Sequence, residues 1–343
     1  MTKYVVRRLL QAIPLLLIVS FILFILANAM GDPLASFGGR RRIRSQDRER
    51  LTRQLGLDQP IVVQYAIWLV GNDWMNVDVD GDGVADEPGT RKGVLRGDFG
   101  NSFMEKRPVL DIIGERVRNT LLLMGSAEVV VLTLALVIGI YSSLRQYSTL
   151  DYAFTGCSFI GFSMPVFWLG LILMYVFAVN FKRWGLPYFP TVGMYDLATG
   201  PTLPQIAWHL VLPVATASIG FVAGYSRFIR SQMLEVINQD YIRTAKAKGV
   251  PGRVVITGHA LKNASLPLVT LIGLDLAFLF SGAVVTETIF AWPGMGRLFW
   301  DAAQDTDIPV LMAILTITAV LVIVFQIVTD IAYTFLDPRI RYD

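Results

Sequence analysis

The sequence predicts an all-α polytopic membrane protein with six transmembrane helices. Hydrophobic residues make up 54% of the 343-residue chain, charged residues make up only 17%, and the apolar residues gather in long runs. Soluble domains carry about 25% charged residues, so this charge content is low. The net charge of +3 is too small to predict nucleic acid as a partner. The lipid bilayer is therefore the expected environment.

Six apolar runs are long enough to cross a bilayer, because a membrane-spanning helix needs about 20 mostly apolar residues. The predicted spans are residues 9–30, 121–144, 158–181, 206–227, 266–290 and 309–335. The first run follows Lys3, Arg7 and Arg8 as a signal peptide would. It is longer than the roughly 7–15 apolar residues of a signal peptide, so we expect an uncleaved anchor.

The distribution of Lys and Arg predicts that both termini are cytoplasmic. Basic residues concentrate in the N-terminal tail, the 228–265 loop and the C-terminus. The 31–117 segment holds many arginines, but its acidic residues balance them. It also exceeds the roughly 60 residues over which the positive-inside rule operates, so it can be translocated. The expected organisation is a tail and first span (1–30), an extracytoplasmic cap (31–117) and a five-span core (118–343) with a cytoplasmic loop at 228–265.

The cap contains an acidic loop with the spacing of a calcium site. Aspartates at positions 1, 3, 5 and 9 of residues 78–89, with Gly83 at position 6, follow the calcium-loop pattern. Position 12 is Gly89 where an EF-hand has Glu, so the match is incomplete. A structural Ca²⁺ and a hydrophilic surface turn are both open. The predicted ligands are Asp78, Asp80, Asp82, Val84 and Asp86.

Two carboxylates deep within predicted spans, Glu128 and Asp275, are candidate functional residues, because a charge within lipid is costly. They could line a hydrophilic pathway or pair with a neighbouring helix. Pro165 and Pro213 predict kinks in the third and fourth spans. The sequence has no P-loop, zinc-protease or nucleophile-elbow motif. We therefore expect no catalytic activity and no resident cofactor other than the possible Ca²⁺.

The loop at 228–265 is unusual for a membrane protein because it is basic and helix-prone between two apolar runs. The residues of this loop that we single out as candidate functional residues are Asp240, Tyr241, Arg243, Thr244, Ala245, Lys246, Ala247, Lys248 and Gly249. A second unusual stretch follows the fifth predicted span. Its candidate residues are Glu287, Trp292, Pro293 and Gly294, which either form an external gate or pack as a connector.

Several motifs in order along the chain resemble the permeases of ATP-binding-cassette (ABC) importers, in particular the subfamily that imports di- and oligopeptides or nickel. These motifs are LGLDQP (55–60), RGDFGNS (96–102), DYIRTAKAKG (240–249), HALKNA (259–264), ETIFAWPGMGR (287–297) and LDPRIRY (336–342). Two features depart from the pattern. Arg243-Thr244-Ala245 replaces the general Glu-Ala-Ala motif, and the acidic stretch around 72–94 is an insertion.

The resemblance implies a type I importer-like permease fold and a multi-subunit assembly in a bacterial or archaeal plasma (inner) membrane. The expected partners are a second homologous permease, two ATPase subunits that bind ATP and Mg²⁺, and an extracytoplasmic substrate-binding protein. The helix near 241–248 would dock on an ATPase, with Ala245 and Ala247 allowing close approach and Gly249 ending the helix. The alternatives are a basic loop on anionic lipid and, for the whole chain, a proton-driven carrier that uses Glu128 and Asp275.

Overall fold

Helices account for nearly all regular structure in the computed structural model, which describes residues 2–31, 45–82 and 84–336. The first eight helices are α1 Thr2–Ala29, α2 Ser45–Gln54, α3 Ile61–Val70, α4 Val109–Leu144, α5 Thr149–Ser163, α6 Val166–Arg183, α7 Leu203–Ile237 and α8 Asp240–Ala247. The remaining helices are α9 (252–264, with a wider π-helical turn at Val255–Leu261), α10 Leu266–Leu279, α11 Val284–Ile289, α12 Met295–Gln304 and α13 Ile308–Leu336.

Two short strands interrupt the helices in the acidic insertion. Strand β1 is Asn76–Val77 and β2 is Glu87–Pro88, and they pair antiparallel with Asn76 opposite Pro88. A single-turn 3-10 helix follows at Val94–Arg96. The strands close the acidic loop into a small hairpin.

Five helices in the described part of the chain are long and apolar enough to cross a membrane. They are Val6–Ala29, Val109–Leu144, Val166–Arg183, Leu203–Ile237 and Ile308–Ala332. The predicted all-α polytopic fold class is confirmed by this architecture.

The predicted third and fifth spans are not continuous helices. Pro165 ends α5 instead of kinking a longer helix, because proline forces Met164 into an extended conformation (φ −83°, ψ 127°). The 14-residue α10 ends at Leu279, and the chain turns at Gly282 (φ 81°) before α11. By contrast, Pro213 lies inside the continuous α7, and the kink predicted there stays a prediction.

The chain divides into two compact units, one of which comprises Val6–Val117 and Leu298–Leu321. Its core contains Phe24, Ala27, Trp68, Phe103, Ile308 and Met312. Helix α3 packs along α1: the Tyr65 and Ser20 hydroxyls are 2.8 Å apart, and the Tyr65 ring meets Phe24 edge-on. Residues 61–70 therefore lie against the first span instead of forming a free-standing cap.

The other unit contains Arg118–Arg297 and the C-terminal part of α13 from Val322. One hydrophobic cluster of this unit joins α4, α7, α8, α9 and α10. The buried members are Val131, Ala135, Tyr225, Ile229, Met233, Ile242, Val255, Ala260, Ala264 and Leu268. The 228–265 loop is consequently a packed part of this unit and not a free linker.

Candidate coupling surface and intramembrane cluster

Helix α8 has defined ends, which fix its position. It begins after the extended Gln239, and Asp240 in its first turn favours the positive end of the helix dipole. At the other end Gly249 takes a left-handed conformation (φ 77°), and its N–H donates to the Lys246 carbonyl at 3.0 Å. The Val250 N–H donates to the Ala245 carbonyl at 3.2 Å, which completes a Schellman cap. A residue with a Cβ would be strained at position 249.

The buried side of α8 anchors the helix in the hydrophobic cluster. Ile242 is only 1% exposed and belongs to the same cluster as Ile229 and Met233 of α7. Ala245 is half-buried against that cluster together with Val250. Ala245 is therefore less accessible than its neighbours on α8, and its close approach to a partner stays a prediction. Ala247 is exposed, as close approach to a partner requires.

The opposite side of α8 is exposed and basic. We call its exposed residues the coupling surface: Asp240, Tyr241, Arg243, Thr244, Lys246, Ala247, Lys248 and Gly249. The Arg243–Asp240 ion pair is long, at 3.7 Å, and solvent-exposed, so it contributes little to stability. The Tyr241 hydroxyl accepts a hydrogen bond from Asn263 of α9 at 3.1 Å. Tyr241 therefore connects the coupling surface to α9, and the side chains of Lys246 and Lys248 are exposed.

The two predicted intramembrane acids have different surroundings. The Tyr225 hydroxyl of α7 donates a hydrogen bond to the Asp275 carboxylate of α10. Glu128 lies on α4 and is half-buried. Among the described residues, its buried Oε1 has no hydrogen-bond partner. Asp275 therefore pairs with a neighbouring helix, which was one of the two alternatives for these acids. A role for Glu128 and Asp275 in a hydrophilic pathway stays a prediction.

The segment Glu287–Arg297 is buried around one carboxylate. Glu287 is fully buried and accepts hydrogen bonds from the Thr120 hydroxyl and the Arg297 N–H, both at 2.9 Å. The Thr120 hydroxyl in turn accepts from the Met295 N–H at 2.6 Å. Gly294 lies directly against the Glu287 carboxylate. These bonds hold the segment against the start of the second predicted span.

Trp292 and Pro293 complete that packing. Trp292 is fully buried, and its indole N–H donates to the Asn119 carbonyl at 2.9 Å. The Asn119 side chain donates to the Pro293 carbonyl at 2.9 Å. With no exposed surface, Trp292 cannot contact a passing solute in this conformation. The packed-connector alternative has the stronger structural support, and the gate alternative remains untested.

The acidic hairpin loop brings part of the predicted calcium set together. One carboxylate oxygen from each of Asp78, Asp80 and Asp82 lies within 4.8 Å of the others. Backbone N–H groups occupy oxygens of all three, for example the Gly81 N–H on Asp78 at 2.6 Å. The Arg53 guanidinium lies against Gly81 and supplies positive charge from the chain itself. The Asp86 carboxylate is not in the group, and Gly83 lies outside the described residues. Calcium binding stays a prediction.

Comparison with known proteins establishes the family. A family model described as "binding-protein-dependent transport system inner membrane component" matches residues 135–342, and the model of its N-terminal part matches residues 1–124. The chain belongs to this family. The predicted resemblance is confirmed, and the permease is an inner-membrane component of a transport system.

Full-length relatives agree with this assignment. The permease is 41% identical to the oligopeptide transport system permease protein AppB of Bacillus subtilis over 344 residues, which covers all of both chains. It is 37% identical to a protein of Brucella suis biovar 1 provisionally named as a peptide permease, with 99% of each chain covered. A Sinorhizobium fredii protein provisionally named as a peptide ABC transporter permease is 35% identical over all of both chains.

Three contributors to these sites were missed from the sequence. Ile242 anchors the coupling surface, Tyr225 partners Asp275, and Thr120 bridges Glu287 to Met295. The spacing of Ile242 and Ala245 on α8 could have indicated a buried stripe, because residues three apart share a helix face. Tyr225 and Thr120 gave no such signal, since their partners lie 50 and 167 residues away along the chain.

Proposed function

We propose that this permease is a transmembrane subunit of an ATP-driven, binding-protein-dependent importer of peptides. The observation that carries the proposal is the coupling surface, an exposed basic helix face rooted in a buried cluster. Family membership and the names of the full-length relatives support it. Proton-driven transport through Glu128 and Asp275 receives no support from the family.

The packing of α8 suggests how a partner could move the spans. Because Ile242 is buried among close-packed side chains of α7, displacement of α8 must displace its neighbours as well. Closure of ATP-loaded ATPase subunits would push the coupling surface and shift the spans from inward-facing to outward-facing. The permease itself performs no covalent chemistry, and the ATPase subunits bind ATP and Mg²⁺.

The proposed assembly contains a second homologous permease, two ATPase subunits and an extracytoplasmic substrate-binding protein. In this arrangement both termini and the coupling surface are cytoplasmic, and the membrane is a bacterial or archaeal plasma membrane. Lys246, Lys248 and Arg243 would pair with acidic side chains of an ATPase. The basic character and exposure of these residues support docking.

The docking role is tested by reversing three charges together, Arg243→Glu, Lys246→Glu and Lys248→Glu, in a tagged permease in its native membrane. We expect normal membrane insertion, loss of copurifying ATPase subunits and loss of vanadate-sensitive peptide uptake. The matched control is Lys262→Glu, an exposed lysine of α9 outside the coupling surface. Undiminished ATPase recovery and uptake in the triple variant would refute docking by this surface. Vanadate-insensitive uptake by the wild type would favour the proton-driven carrier.

A further inference from the structure

An ion pair with a buried carboxylate joins α5 to α7. The Arg230 guanidinium donates to both oxygens of Asp151, with Nε and Nη2 each 3.1 Å from their acceptors. The Asp151 side chain is only 4% exposed, whereas Arg230 is 30% exposed. A two-pronged charged contact of this kind fixes orientation as well as distance. Neither the sequence pattern nor the proposed docking site uses this pair.

The backbone around Asp151 is built to hold its carboxylate in place. Ser148 caps α5 by accepting the Asp151 N–H at 3.2 Å, and Asp151 accepts the Tyr147 N–H at 3.0 Å. Tyr147 itself has a positive φ of 61°, which an ordinary side chain adopts only when its surroundings require it. Burial opposes ionisation of Asp151, but the bonds from Arg230 and the Tyr147 N–H hold its pKa below the usual range. The carboxylate therefore remains charged at neutral pH.

Arg230 is next in sequence to Ile229, a member of the cluster in which Ile242 anchors the coupling surface. That cluster also contains Met233 of α7. Movement of α8 reaches this part of α7 through those apolar contacts. From there the Arg230–Asp151 contact is a direct polar connection to the first turn of α5 and to the turn that links α4 and α5.

We propose that Asp151 and Arg230 are positioning residues that carry the movement of α8 through α7 to the α4–α5 turn. This inference rests on the proposed coupling function. Apolar contacts between helices can slide by small steps, whereas a buried bidentate pair has one favourable geometry. The pair thus keeps α5 moving with α7 when an ATPase displaces the coupling surface.

The test uses Asp151→Asn and Arg230→Lys in the complete transporter reconstituted with its binding protein. Both substitutions keep side-chain size close to the original, but Asn removes the charge and Lys loses the two-pronged geometry. We expect peptide uptake to fall on the order of tenfold, the usual size of coupling between two sites, while ATP hydrolysis per assembled complex is retained. The number of ATP molecules hydrolysed per peptide would rise accordingly.

A matched control is Glu115→Gln, which removes an exposed ion pair with Arg107 and should leave uptake unchanged. A purely structural role would lower assembly, or would lower uptake and ATP hydrolysis in proportion, and either result would overturn the inference. Near wild-type uptake in both variants would also overturn it. The double variant should be no worse than the poorer single variant, because both remove the same contact. Lack of binding-protein-stimulated ATP hydrolysis in the wild type would instead contradict the proposed function.

Discussion

The α8 helix and the Glu287–Arg297 segment make opposite use of similar sequence surroundings. Both adjoin apolar runs, and both carry residues expected to be functional. Helix α8 buries Ile242 and exposes its charges, whereas the other segment buries Glu287 and Trp292 completely. A buried polar residue contributes through its internal bonds, and an exposed charged helix is free to meet a partner. Side-chain exposure therefore distinguishes a candidate interface, α8, from a packed connector, the Glu287–Arg297 segment.

The largest expected effect is a loss of folding stability when the Glu287–Arg297 connector is changed. Trp292→Ala should destabilise the unit by about 3–5 kcal/mol, because it empties a fully buried site and removes the indole hydrogen bond to the Asn119 carbonyl. Thermal unfolding in detergent and the yield of inserted protein measure this loss. Trp168→Ala, at a residue 54% exposed, is the matched control and should change little. Equal stability of the two variants would contradict the role of this segment as a packed connector.

A smaller effect is expected where α8 joins the core. Ile242→Ala should weaken the anchor by about 2–5 kcal/mol, and the loss should concentrate in α8 because that helix has one fully buried side chain among its described residues. Hydrogen exchange should report faster opening of α8 with little change in α4. Uniform destabilisation of the whole unit would instead show that Ile242 is an ordinary core residue.

Two substitutions of Gly249, at the exposed end of α8, should have opposite outcomes. Gly249→Asn should be tolerated because Asn accepts a left-handed conformation, whereas Gly249→Glu adds strain of about 1–2 kcal/mol and a negative charge. No atom lies within 4 Å of a Cβ at this position, so the core does not change. We expect Gly249→Glu to insert normally but lose uptake. Wild-type uptake by this variant would remove Gly249 from the coupling surface.

The smallest effect is expected for the acidic hairpin loop, which extends the comparison to a third segment. If Asp78, Asp80 and Asp82 bind Ca²⁺, millimolar calcium should protect the loop from proteolysis, because extracellular calcium modules bind with dissociation constants of about 10⁻⁴–10⁻³ M. Asp80→Asn should abolish that protection. Identical digestion with calcium and with a chelator would identify the loop as a surface turn.

The sequence was sufficient for the fold class and for the location of α8, because long apolar runs and a basic interruption are local signals. It was not sufficient where tertiary contacts decide. Pro165 and Pro213 look alike in sequence, yet one ends a helix and the other lies within α7. The break at Gly282 depends on close approach to Gly296, which lies beyond the next helix. Likewise, the partial burial of Ala245 depends on its packing against the cluster that contains Ile242.

The unit around α1 has a consequence for biosynthesis. Its core brings Phe24 and Trp68 together with Ile308 and Met312, so residues made early must wait for residues made near the end of translation. Chains usually fold their N-terminal parts first as they emerge from the ribosome. Here α1 can enter the membrane at once, but the pocket it shares with α3 stays open until α13 is synthesised. A ribosome that stalls before residue 308 would leave Trp68 and Phe103 uncovered, and quality-control proteases could recognise that unfinished surface.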